Sequence, residues 1–479
     1  MTDGAVDVQP QPAVAAFAII ALIVAHRLLR FDLLSDEVLA LRPQSVLLTL
    51  LALAVPLAML RRQVSLRFSM VLAIQWLLYI WALVSRLVSD GLDELLPFLS
   101  GDYAKDLIFA TVLGLLATHV ARLRTLFVTI VVALLFIAAV AIPQRFGPKQ
   151  CHYFRFAWQL NYEQTSDRRP CQSTAECYVV PKHEQHLRDY GWACERVGLL
   201  GLATVVDRIH YAGNLVDPNS LALALVMAAA LLLGLATWPR RPIHKWLWLL
   251  GLPLLGVAVV LAASRAAQAA MGAVILTFFY FRVGIVGAGL AGVLASPLLL
   301  VSTRNDAEAA YSTVTRIMTY LNGFTAFLDY PFFGVGFANY ERISFLNAHN
   351  SFLQALVETG VLGGTLYITG SYASFKLLLQ VIRWPLPTDD EQEQAELQEI
   401  QHVAKTLLAM LLGVLFCVLF LSLAWDFSWL LPLGLVAGFE LHVRERLPGF
   451  RFSLRLLELA GLLLATLLLL GLFVLVTAR

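Results

Sequence analysis

Apolar residues in this chain fall in long unbroken runs. They show neither the strict alternation of half-buried strands nor the one-sided stripe of surface helices. Runs of about 20 residues, the length that crosses hydrocarbon as a helix, follow one another from end to end. Spans are expected near 13–25, 44–60, 68–88, 105–119, 125–143, 218–238, 246–263, 267–283, 284–302, 351–375, 404–424, 427–441 and 456–477. The 267–302 stretch also reads as one broken pair. The pattern predicts an all-α polytopic integral membrane protein of about 12–13 transmembrane helices. It divides into an N-terminal bundle (1–143), a hydrophilic loop (144–217), central helices (218–302), a second hydrophilic segment (303–350) and C-terminal helices (351–479). An acidic loop at 383–403 interrupts the last group, with Asp389, Asp390, Glu391, Glu393, Glu396 and Glu399 reading as a solvated face. In the second hydrophilic segment a helix is expected with Ile317, Leu321 and Phe324 on one face, stopped by Pro331 and the glycines after it.

Composition strengthens the membrane reading. The chain is 59% hydrophobic and 14% charged, with a mean hydropathy of +0.73, where a soluble domain carries about 25% charge. A net charge of +2 gives no case for nucleic acid. Residues 1–12 contain Asp3 and Asp7 and no Lys or Arg, so a cleaved signal lacks its positive region and the first span is expected to stay. Arg61, Arg62, Arg67, Arg122, Arg124, Arg240, Arg241, Lys245, Arg444 and Arg446 fall on one side, which the positive-inside rule makes cytoplasmic. Loops 89–102, 144–217 and 303–350 then lie outside. Arg27, Arg30 and Arg42 disagree, though Asp32, Asp36 and Glu37 accompany them.

Cysteine usage is lopsided. Cys151, Cys171, Cys177 and Cys194 share the first hydrophilic loop, while Cys417 lies in an apolar run. An even set in an extramembrane loop points to disulfides and an oxidising compartment. A zinc site competes, but no C-x₂-C pair is present. Three pairings are open.

Candidate chemistry clusters at the outer surface. His349 stands where the chain re-enters the membrane, beside Asn350, and histidine exchanges a proton near neutral pH without prior tuning. Gly334 and Gly336 before it permit close backbone approach, and Glu358 follows inside the membrane, where a carboxylate is costly. Ser264–Arg265 interrupts an apolar hairpin; Arg316 lies on the outer helix; Arg208, Tyr211 and Asn219 close the cysteine loop, with Asp217 placed to cap the next span. Guanidinium groups at an interface grip phosphate through two bonds at once, which suits a pyrophosphate-linked lipid. The bland alternatives are arginines snorkelling to headgroups, an inert packed histidine and a glutamate serving buried donors. Arg304 and Arg342 look ordinary. No P-loop, H-E-x-x-H or G-x-S-x-G motif is present, and no outward acidic pair offers to hold a metal. A transporter would show internal repeats and midplane polar residues, neither of which is visible.

Five motifs carry a resemblance: R-x-x-x-Y at Arg316, Y-P-x-x-G-V-G-x-x-x-Y from Tyr330, H-N-S-F-L-x-x-x-x-E-x-G-x-x-G from His349, the pair Ser264–Arg265, and R-x-x-x-x-G-x-x-x-x-P-N from Arg208. Together they cover about residues 205–375, run along the chain in the family's order, and resemble the shared core of the O-antigen ligase and O-antigen polymerase superfamily, with the ligase branch favoured. The resemblance implies an all-helical inner-membrane glycosyltransferase acting at the periplasmic face without metal or other cofactor. Its donor would be a glycan on undecaprenyl pyrophosphate, and its acceptor lipid A–core or another hydroxyl. It maps the catalytic histidine to His349 and the pyrophosphate-binding arginines to Arg265, Arg316 and Arg208. The long cysteine loop and the extra C-terminal span depart from a typical member.

Overall fold

The computed structural model describes residues 13–34, 36–99, 101–154, 164–177, 191–239, 245–300, 306–344, 346–385 and 390–477. Residues 1–12, Arg240, Arg241, Arg304 and Asp389, named above, lie outside them. The long helices are α1 (Val14–Leu29), α2 (Pro43–Leu60), α3 (Met70–Asp90), α4 (Asp102–Leu116) and α5 (Val120–Ala141). After the hydrophilic loop come α6 (Pro218–Ala236), α7 (Lys245–Leu261), α8 (Arg265–Leu300), α9 (Asp306–Asp329), α10 (Ser351–Ile382), α11 (Glu391–Val418), α12 (Phe427–Arg446) and α13 (Leu456–Thr477).

Six helices, α2, α3, α5, α6, α8 and α11, are long and apolar enough to cross a membrane, and α1, α7 and α13 carry shorter apolar stretches. The 267–302 stretch is the broken pair: α8 is two helical segments that meet at Gly284, whose φ of 77° is non-helical. The acidic stretch is helical, in keeping with its helix-like pattern: Asp390 caps α11, and Glu391 to Glu399 form its first turns. Glu399 accepts a 2.8 Å bond from Trp238 Nε1, and Glu396 pairs with Arg446.

α6 is the central helix and the most buried. Its start follows from the sequence, with Asp217 Oδ1 accepting from Asn219 N at 2.6 Å and proline at the first helical position. Close approach of α11 depends on Gly234, where a methyl group would stand 2.3 Å from Thr406 Cγ2. Around this pair pack α5, α7 and α8, while α10 lies on α3 and α11, and α12 on α4.

The all-helical expectation fails in the cysteine loop. Lys149–Phe154 (β1), Gln164–Pro170 (β2) and Gly191–Arg196 (β3) form an antiparallel sheet of order β2-β1-β3. β2 has no apolar alternation to announce it; the sheet is fastened by Cys151–Cys177 and Cys171–Cys194 instead. The four sulfurs are consumed in these disulfides, which replaces the zinc alternative and settles the pairing. Each bridge closes a loop of 26 or 23 residues, stabilising the fold by about 3 kcal/mol through lost denatured-state freedom.

The helix expected in the second hydrophilic segment is α9, ending at Asp329, two residues before Pro331. Its buried face differs from the expected one. Thr319, Ala326 and Phe327 are buried, and Gly323 leaves room for Tyr340, whose hydroxyl would lie 2.1 Å from an added methyl.

Basic residues gather at the bundle end away from the sheet. Arg124 lies over Trp238, Trp238 meets His402 edge-on, and Arg67 pairs with Glu445 at 3.5 Å.

Candidate functional site

At the sheet end a cavity of about 310 Å³ is lined by Asn219 of α6, Ser264 and Arg265 at the start of α8, Thr313 and Arg316 of α9, Phe416 of α11, and Phe420 and Leu421 just after α11. Segments from four parts of the chain thus meet there. Arg265 is exposed and pairs with no carboxylate among the described residues; Arg316 is half-buried. Arg208 reaches the same corner, its Nη2 donating to Asn219 Oδ1 and its Nε to the Ala262 carbonyl, both at 2.8 Å. The two elements that start at the cavity, α6 and α8, aim their N-terminal backbone dipoles at it, an arrangement that favours anions.

His349 is not among the residues lining the cavity but adjoins it, bonded to Ser422 next to the lining Leu421 and feeling the charge of Arg316. Its backbone is clamped from two sides: N–H donates to Ser422 Oγ at 2.7 Å, and its carbonyl accepts from the Tyr320 hydroxyl at 3.0 Å. It holds φ 47°, the left-handed region that non-glycine residues seldom enter. Ala263, just before Ser264–Arg265, does the same with φ 52°. Such conformations persist where surrounding contacts over-determine them, and they concentrate at working sites. Burial holds the imidazole below its ordinary pKa, Arg316 adds to that, and Asp217 opposes it. The ring is therefore neutral at pH 7 and free to accept a proton.

No family model matches this sequence, and neither does any curated protein.

Other expected site residues take different places. Asn350 caps α10, its Oδ1 accepting from Leu353 N at 2.9 Å. Glu358 is fully buried and lines no part of the cavity. Its carboxylate accepts from Ala338 N and Tyr340 N at 3.2 Å each and from Trp425 Nε1. These bonds hold the 333–340 loop against α10. Gly334 (φ 74°) and Gly336 (φ 102°) make that docking possible, since a methyl group at Gly334 would stand 2.5 Å from the Glu358 backbone. Tyr211 is buried and donates to the Leu29 carbonyl at 2.7 Å, tying α1 to the segment before α6. Arg342 pairs with Asp90.

Two contributors escaped the sequence reading. Ser422 is a lone hydroxyl at the end of an apolar run, a signal that was present and weak. Glu195 of β3 accepts from Val206 N at 2.7 Å and Asp207 N at 3.1 Å, holding the left-handed turn that presents Arg208. The disulfide-fastened sheet thereby fixes one of the three arginines.

Proposed function

We propose that this chain is a metal-independent, inverting glycosyltransferase of the O-antigen ligase type. It moves a glycan from undecaprenyl pyrophosphate to an acceptor hydroxyl, with lipid A–core the favoured acceptor. The protein would sit as a 12–13-span molecule in a bacterial inner membrane, its sheet and its cavity facing the periplasm. Disulfides suit an oxidising compartment, and the Lys- and Arg-rich far end suits the cytoplasmic side.

The observation that carries the reading is the meeting of Arg265 and Arg316 in one cavity beside a neutral, backbone-clamped His349. His349 takes the proton from the acceptor hydroxyl as its oxygen attacks the anomeric carbon. The bond from that carbon to the pyrophosphate oxygen breaks in the same displacement, which inverts the centre. Undecaprenyl pyrophosphate departs with its new charge held by Arg265, Arg316 and Arg208, the electrostatic work a metal does elsewhere. A transporter is disfavoured because the cationic cluster lies at one end of the bundle rather than at mid-height.

The test is transfer by the purified protein supplied with lipid-linked glycan and each acceptor in turn. Transfer to lipid A–core supports the ligase reading. Transfer only to a second lipid-linked repeat would make it a polymerase, and transfer only to a protein Ser or Thr an O-oligosaccharyltransferase. No transfer to any acceptor from a folded, donor-binding protein overturns the proposal.

A further inference from the structure

A second cavity, of about 420 Å³, opens between α6, α7, α8 and α11. Its walls are apolar and aromatic, Leu249, Phe278 and Phe281 among them, and Arg282 and Lys405 stand at its edge with His402. Arg282 is exposed, and neither cation forms an ion pair among the described residues. Lys405 Nζ sits 5.7 Å from the Phe281 ring centroid, and His402 Nε2 is turned inward onto the Gly234 carbonyl at 2.8 Å. Glu399, on the same helix as Lys405, accepts from Trp238 Nε1.

Position decides what such a cavity meets. Arg282 follows Arg265 on α8 by about 17 residues, roughly 26 Å of helix, close to the thickness of a hydrocarbon core of about 30 Å. Gly284 then bends α8. The two cavities therefore share the α6, α8 and α11 wall and sit about one bilayer core apart. A cleft with hydrocarbon-compatible walls and two unpaired cations at the far leaflet matches an amphiphile with an anionic head.

We infer that this cavity binds an anionic glycerophospholipid of the opposite leaflet, its phosphate between Arg282 and Lys405 and an acyl chain along Leu249 and Phe278. The inference rests on the membrane-spanning reading and not on the transferase chemistry.

The experiment is native mass spectrometry of the full-length protein released from detergent with dioleoyl-phosphatidylglycerol or dioleoyl-phosphatidylcholine. Wild-type protein is expected to retain phosphatidylglycerol at least about tenfold better than phosphatidylcholine. Arg282→Gln with Lys405→Gln should weaken phosphatidylglycerol retention about thirtyfold, the effect of two basic charges at a lipid surface. Arg282→Lys, which keeps the charge, should retain it. Equal retention of the two lipids by the wild type overturns the inference even if the double variant fails to fold. So does undiminished binding by a folded double variant. Excess inorganic phosphate that strips the lipid completely would show a soluble-anion site and also overturn it.

Discussion

Two polar centres lie within ten residues of each other, at His349 and Glu358, and they dispose of charge in opposite ways. The Glu358 carboxylate is fully buried, and donors from the 333–340 loop and from Trp425 close around it. The cavity beside His349 collects Arg265 and Arg316, with Asp217 the carboxylate acting on the imidazole, and Asp217 also serves the start of α6. A buried charge whose partners are all protein already has its hydrogen bonds. Cations that line an opening keep capacity for a ligand from outside.

Removing His349 should separate the two centres most sharply. His349→Ala is expected to insert, fold and bind donor, yet transfer about 10²- to 10⁴-fold more slowly, the worth of a positioned base. Its backbone clamps to Ser422 and Tyr320 survive the change. Normal transfer by the variant would remove the imidazole from the chemistry. Arg316→Gln or Arg265→Gln comes next, with a loss of about 10²- to 10³-fold in kcat, as for one lost charge-stabilising donor. Kinetics with saturating lipid-linked glycan would check this; loss confined to KM would mean the arginine serves binding alone.

Glu358→Ala should act through the fold instead. It strands the amide donors of Ala338 and Tyr340 and the Trp425 indole, and buried donors left unmade cost about 1–3 kcal/mol each. Thermal unfolding should shift down by several degrees, and the transfer lost should follow the folded fraction. Full stability with lost transfer would move Glu358 into the reaction and erase the contrast. Cys151→Ser with Cys177→Ser is expected to cost about 3 kcal/mol, loosening the turn that Glu195 holds and weakening donor binding through Arg208. Donor affinity measured on the folded fraction checks it; unchanged affinity would sever the sheet from the site.

Much of this could be read before any coordinates. Long apolar runs gave the helices because a bilayer-length segment has few other solutions. Arg265, Arg316 and His349 stood out because each is costly in apolar surroundings. The sheet stayed hidden because Gln164–Pro170 is polar throughout and owes its order to sulfur bridges rather than to a buried face. The packed face of α9 misled for a related reason: small residues there admit Tyr340, so bulk apolarity pointed to the wrong positions. Glu358 reads two ways in the sequence because expense does not distinguish a satisfied carboxylate from a working one. Ser422 and Glu195 act through backbone N–H groups far away in sequence, which no local pattern encodes.

The finest test concerns the proton. Burial and Arg316 hold the His349 pKa below the ordinary 6.5, and Asp217 pulls it up. A base must be neutral, so transfer should be level from pH 8 to about 6.5 and decline only below that value. Removing the cation in Arg316→Gln makes protonation easier, and the acid limb should move to higher pH. Asp217→Asn keeps a competent helix cap but deletes the carboxylate that favours the imidazolium, so its limb should move to lower pH. The two displacements are of opposite sign, each less than about one pH unit for a single partly screened charge. Profiles of kcat/KM at fixed ionic strength would read them. An altered cap or a lost phosphate grip lowers the whole curve without sliding it, so opposite slides point to the His349 proton and to no change in fold. Limbs that stay put in both variants would leave the titrating base to be sought elsewhere in the cavity.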